Sequence, residues 1–70
     1  MMQLTQEREA RSWSKAELGR QSRVHPIRVG QIENRRAVPY DVALQRLAEA
    51  LDWQREPADL LHEVDNEPQA

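Results

Sequence analysis

The chain has 70 residues, a formal net charge of −2 and no cysteine. This length fits one small domain, with a modest core and little room for a catalytic pocket. The lack of cysteine excludes disulfides and thiolate metal sites, and suits a reducing cytoplasm. The start, MMQLTQERE, has no apolar run that could serve as a signal peptide or membrane span. We therefore expect a cytoplasmic protein that is not an enzyme and uses no membrane, metal or cofactor.

Charge is distributed unevenly along the chain. The segment from Arg8 to Arg36 contains eight basic and three acidic residues, a net charge of +5. The segment from Asp41 to Ala70 contains two basic and eight acidic residues, a net charge of −6. A basic segment of this kind favours a polyanionic partner even in an acidic chain. The alternative interpretation is a chance scatter of solvated surface charges.

The first part of the chain predicts short helices. Leu4 and Arg8 fit one face of a first helix. Ser14 begins a second helix, because Glu17 three residues later completes a capping-box pattern. That helix extends to about Ser22, and we expect the two helices to be joined by a short connection.

A third helix is predicted to begin at the dipeptide His25-Pro26. Proline suits the first helical position, where its missing N–H would have no partner anyway. Val29 and Ile32 then share one face, which leaves Gln31 to face outward. Two short helices joined by a tight turn, over residues 14–34, are the arrangement of a helix-turn-helix.

The second half predicts two more helices. Asp41 begins the clearer one, in which apolar residues recur at helical spacing: Leu44, Leu47, Ala48 and Leu51. Pro57 begins a last helix that buries Leu60 and Leu61. We interpret Trp13 and Trp53 as core residues rather than base-stacking platforms. Residues 1–65 are expected to form a single domain, followed by a frayed polar tail over 66–70.

The outward residues of the third helix have the chemistry of base recognition. Glutamine pairs with adenine edges, arginine with guanine, and isoleucine can contact a thymine methyl. The residues concerned are Ile27, Arg28 and Gln31, with His25 and Pro26 at the tip. Amide and basic groups just beyond the helix are suited to phosphates. The phosphate contacts that we predict are Ser14, His25, Asn34, Arg35 and Arg36.

From Arg8 to about Trp53 the chain resembles the phage Cro/repressor-type helix-turn-helix family, also called the xenobiotic-response-element family. The resemblance is carried by Arg8, "WSKAEL", "VHPIRVGQIEN", Pro39 and "LQRLAEALDW". It implies an all-α, compact, five-helix, lambda-repressor-like domain that binds DNA. It also implies a structural ion pair between Arg8 and Glu33, contacts of Lys15, Ile27, Arg28 and Gln31 with DNA, and a phosphate contact of Asn34. We count Lys15 and Pro26 among the predicted base contacts.

The chain departs from the family pattern at four positions, one of which is His25, where a serine or threonine cap is more usual. Gly19 stands where the family usually has alanine, and it is a weaker helix former. Arg23 and Arg35 stand where glycine is common. If these two arginines keep a left-handed backbone, each costs about 1 kcal/mol.

These features together predict a sequence-specific regulator of transcription that binds double-stranded DNA, with repression favoured. Such a protein would be cytoplasmic and associated with the nucleoid. Two other functions stay open: an excisionase-like or architectural DNA binder, and an antitoxin-like module whose acidic second half binds a protein. A homodimer also stays open. His62, with Asp59 and Glu63 nearby, is interpreted as a solvated residue rather than a metal ligand.

Overall fold

The computed structural model of the protein describes residues 1–64. These contain four α-helices followed by one 3-10 turn. Their bounds are α1 Gln3–Ala10, α2 Lys15–Ser22, α3 Pro26–Glu33, α4 Asp41–Ala50 and the 3-10 turn Pro57–Leu61. The expected all-helical class is confirmed, but the expected fifth α-helix is wrong. The tail predicted over 66–70 lies outside the described residues.

The last element is a 3-10 turn because the chain soon leaves it to pair with the N-terminal residues. The backbone of His62 is extended, and its carbonyl accepts a hydrogen bond from the Gln3 N–H at 2.8 Å. The Val64 N–H donates to the Met1 carbonyl at 2.7 Å. These bonds satisfy backbone groups that a longer helix would have used, while Leu60 remains fully buried.

The start of α2 shows half of the predicted capping box. The Ser14 hydroxyl accepts a hydrogen bond from the Glu17 N–H at 3.0 Å. The Glu17 carboxylate does not complete the reciprocal bond; it accepts from Gln21 at 2.7 Å and from Arg20 at 2.8 Å. These hydrogen bonds, first from Gln21 and then from Arg20, lower the pKa of Glu17. The Ser14 side chain alone therefore caps α2 and fixes where the helix begins.

The core lies where α2 meets α3 and α4, and it is closed by α1 and the 3-10 turn. Trp13 and Trp53 are partly buried against it, which agrees with their interpretation as core residues. No helix within residues 1–64 is long and apolar enough to cross a bilayer. The buried apolar residues are Met2, Leu4, Leu18, Val24, Val29, Ile32, Leu44, Leu47, Ala48, Leu51 and Leu60.

Candidate nucleic-acid interface

The turn between α2 and α3 is fixed by local hydrogen bonds. Arg23 has a left-handed backbone, with φ of 62°, which reverses the chain after α2. The Val24 N–H donates to the Gly19 carbonyl at 3.2 Å. The buried Ser22 hydroxyl donates to the Leu18 carbonyl at 2.7 Å and lies 3.3 Å from the Val24 nitrogen, from which it accepts. The angle between the two helices is therefore set by a hydrogen-bonded turn and not by a loose loop.

Gly19 allows α2 to approach the start of α3 closely. A Cβ atom at this position would lie 2.6 Å from the Val24 carbonyl oxygen and 3.0 Å from Cγ of Pro26. Backbone cannot yield to such a contact as easily as a flexible side chain can. Glycine at position 19 thus leaves room for the proline that begins α3.

The start of α3 presents its first residues to solvent. His25 is the N-cap, and its Nδ1 accepts a hydrogen bond from the Ile27 N–H at 3.2 Å. Val29 and Ile32 are buried on the opposite side of the helix, at 0% and 1% exposure. Ile27, by contrast, is 67% exposed, and Gln31 one turn later is also exposed. An apolar and an amide side chain therefore form one outward ridge of α3.

One flank of this ridge is formed with the help of α2. Lys15, the first residue of α2, lies alongside Gly30 of α3. A Cβ atom added to Gly30 would be 3.8 Å from Cδ of Lys15. Lys15 also lines a surface cleft together with Asn34 and Arg35, close to the carboxylates of Glu9 and Glu33. Residues that are far apart in sequence thus meet on one side of α3.

The other flank carries residues that sequence reasoning did not place in the site. A surface depression beside His25 and Arg28 is also lined by Arg23, Tyr40 and Arg46. Tyr40 is 77% exposed although it directly precedes α4. Its place beside α3 depends on the packing of α4, a long-range contact with no local signal in the sequence.

The far end of α3 is held by Arg8 of α1. Arg8 Nε donates to one Glu33 carboxylate oxygen at 2.8 Å, and Nη2 to the other at 3.1 Å. A third hydrogen bond, from Nη1, reaches the Trp13 carbonyl at 2.8 Å. The hydrogen bond to Glu33 raises the pKa of Arg8, and it outweighs the opposing effect of burial. This pair orients α3 relative to α1 and takes no part in the exposed ridge.

Arg35 is already engaged within the chain. It has a left-handed backbone, with φ of 61°, and its guanidinium forms an ion pair with Glu63. Both side chains are more than half exposed, so the pair is open to exchange with another anion. Its neighbour Arg36 is exposed too.

All the residues predicted to contact bases or phosphates lie at the surface of the protein. They lie together, on the ridge of α3 and on its two flanks. The exposed residues are Ser14, Lys15, His25, Pro26, Ile27, Arg28, Gln31, Asn34, Arg35 and Arg36.

A family described as "Helix-turn-helix domain" matches residues 2–61, which extend from the start of α1 to the end of the 3-10 turn. No curated protein and no solved structure matches the chain.

Proposed function

The chain belongs to the helix-turn-helix domain family, and we propose that it is a sequence-specific regulator of transcription that inserts α3 in the major groove of double-stranded DNA. Membership of this family implies DNA binding. The observation that carries the finer proposal is the outward ridge of Ile27 and Gln31, opposite the buried face of α3.

Base recognition is assigned to the exposed side chains of α3 and the start of α2. Gln31 can pair with the N6 and N7 edge of adenine, and Arg28 with O6 and N7 of guanine. Ile27 supplies an apolar contact for a thymine methyl group. Pro26 lies at the tip, and Lys15 reaches the same side of α3 from α2.

Phosphate contacts are assigned to the two flanks of the ridge. Ser14 and His25 lie at the starts of α2 and α3, where N–H groups and a positive helix end favour an anion. Asn34 and Arg36 lie beyond the end of α3. Arg35 can join them by exchanging the Glu63 carboxylate for a phosphate, since the ion pair that it forms is exposed.

Repression by occupancy is the mode that this domain supports best. An occupied operator excludes polymerase without any further activity of the bound protein. In this proposal the protein is a Cro/repressor-type regulator with a lambda-repressor-like arrangement, and it acts in the cytoplasm on the nucleoid.

Selection from a randomised duplex library tests the proposal, because such a library requires no choice of operator. We expect a defined motif to be enriched by the wild-type protein, and the enrichment to weaken at the positions read by Gln31 when that residue is changed to alanine. A matched control is Gln6→Ala, because Gln6 is an exposed glutamine on α1. Recovery of unrelated sequences by the wild-type protein would contradict sequence-specific recognition.

A further inference from the structure

A surface depression of about 320 Å³ lies between the start of α3 and the first half of α4, and it collects basic side chains. Three arginines from separate parts of the chain line it: Arg23 from the turn before α3, Arg28 from α3 and Arg46 from α4. The other lining residues are His25, Tyr40 and three aliphatic ones. No carboxylate of residues 1–64 lines this surface, which we call the arginine depression.

The three guanidinium groups of the arginine depression are not neutralised within residues 1–64. None of them forms an ion pair there, and all three residues are exposed. Like charges that share one depression repel each other, and a bound anion removes this repulsion. Other arginines of the chain are already paired with glutamate carboxylates: Arg8, Arg11, Arg20 and Arg35. The depression therefore has positive charge available for an external anion.

Arg23 occupies its place in a backbone conformation that is unfavourable for arginine. Its φ of 62° lies in the left-handed region, which glycine adopts more readily. No ion pair of Arg23 within residues 1–64 offsets this strain. Strained backbone is common at ligand-binding sites. The strain therefore agrees with a contact of the Arg23 side chain with a ligand.

The number of arginines favours a phosphate monoester over other anions. A monoester has a charge of about −1.5 to −2 at neutral pH and three free oxygen atoms. A phosphodiester of the DNA backbone has a charge of about −1 and only two free oxygens. Because a guanidinium group forms strong hydrogen bonds with phosphate oxygens, three such groups are matched better by the monoester.

The side of the arginine depression toward α4 is aromatic and apolar. Tyr40 and Val42 line it and are 77% and 60% exposed. A planar ring that packs on Tyr40 removes apolar surface of both molecules from water. The depression therefore fits a ligand that has a ring close to its phosphate.

We propose that the arginine depression binds a phosphate monoester that carries a planar ring, as a nucleoside monophosphate does. The phosphate is held among the three arginines, and the ring packs on Tyr40 and Val42. This is a second ligand site beside the ridge that is assigned to DNA, and the two share Arg28. Ligand and DNA therefore compete for Arg28, but binding of the ligand itself requires no DNA.

Isothermal titration calorimetry of the full chain with adenosine 5′-monophosphate, in the absence of DNA, tests the proposal. We expect a dissociation constant on the order of 0.1 mM, since the site is open to solvent. Adenosine and inorganic phosphate each lack one half of the ligand and should bind at least about tenfold more weakly. Adenosine 3′,5′-cyclic monophosphate should also bind at least about tenfold more weakly, because its phosphate is a diester. The cyclic compound thus separates recognition of a monoester from a general affinity for the phosphodiesters of DNA.

Two variants test the assigned arginines. Arg46→Gln should weaken the binding of adenosine 5′-monophosphate at least about tenfold, because it removes one of three guanidinium groups. Arg55→Gln is the matched control, since Arg55 is an exposed arginine that has no ion pair within residues 1–64 and does not line the depression. Arg23→Gly relieves the left-handed backbone and should still bind the ligand as weakly as Arg46→Gln. A loss of binding in a chain that is no less stable separates contact with the ligand from folding.

Three results would overturn the proposal. The first is no binding of adenosine 5′-monophosphate up to about 10 mM, a hundred times the expected dissociation constant. The second is equal affinity for this compound and the cyclic one, which would indicate a site for any phosphate, including that of the DNA backbone. The third is an equal effect of Arg46→Gln and Arg55→Gln, which would indicate a general charge effect. None of these results bears on the selection of a DNA motif, which is measured without the nucleotide.

Discussion

Arg8 of α1 donates two hydrogen bonds to the carboxylate of Glu33, the last residue of α3, at 2.8 and 3.1 Å. The side chains are 11% and 4% exposed, so both charges have been taken out of water. Because each charge compensates the other, removal of one leaves the other buried and unpaired. The position of α3 therefore depends on a residue that does not lie on its exposed face.

Glu33→Ala should lower the free energy of unfolding by about 3 kcal/mol, because it strands the Arg8 guanidinium. Urea denaturation followed by circular dichroism measures this loss. Glu9→Ala is the control: Glu9 also lies near Arg8, at 3.7 Å, but is 53% exposed, so its loss should cost under about 0.5 kcal/mol. An equal loss of unfolding free energy in the two variants would show that the buried pair contributes no more to stability than the exposed contact does.

Gly19→Ala should destabilise the protein although alanine is the better helix former. The new Cβ would lie 2.6 Å from the Val24 carbonyl oxygen, and overpacking of this kind costs about 1–3 kcal/mol. Gly30→Ala is the matched control, since its Cβ would meet only the Lys15 side chain, at 3.8 Å. There the helix propensity of alanine should stabilise the fold by up to about 1 kcal/mol. Thermal unfolding of both variants should show midpoint shifts of opposite sign, and shifts of the same sign would contradict the close approach.

Arg23→Gly should stabilise the fold by up to about 1 kcal/mol, because glycine relieves the left-handed backbone. Arg20→Gly, three residues earlier within α2, should instead destabilise it by about 1 kcal/mol, since glycine is a poor helix former. Chemical denaturation of the two variants measures both signs. If Arg23→Gly instead destabilises the protein, the arginine side chain must contribute more stability than its left-handed backbone costs.

Glu63→Gln should strengthen binding to duplex DNA by about twofold to fivefold, within the range of an exposed ion pair. The reason is that Arg35 would no longer be paired with a carboxylate and would be available to a phosphate. Glu56→Gln, which removes an exposed carboxylate from the connection before the 3-10 turn, is the control for net charge. An equal gain from both substitutions would indicate a general charge effect and no specific competition for Arg35.

The features that local sequence signals predicted are the starts of α2, α3 and α4. Ser14 caps α2, Pro26 begins α3, and both lie where their chemistry indicated. The family resemblance, rather than any periodicity, suggested the ion pair between Arg8 and Glu33, since 25 residues separate them.

The features that the sequence did not predict depend on long-range contacts. The 3-10 turn replaces an α-helix because His62 pairs with Gln3, at the other end of the described chain. The ion pair of Arg35 with Glu63 arises from the same pairing of the two ends. Likewise, Tyr40 and Arg46 reach the side of α3 only through the packing of α4.

The most direct test of the central claim is fluorescence anisotropy of a duplex that carries the selected motif, beside a scrambled duplex, at several salt concentrations. We predict that the wild-type protein binds the motif at least about a thousandfold more tightly than the scrambled duplex. Binding should weaken as salt rises. Gln31→Ala should reduce the preference by about tenfold or more, while Gln6→Ala should leave it unchanged. Equal affinity of the wild-type protein for both duplexes would contradict the account.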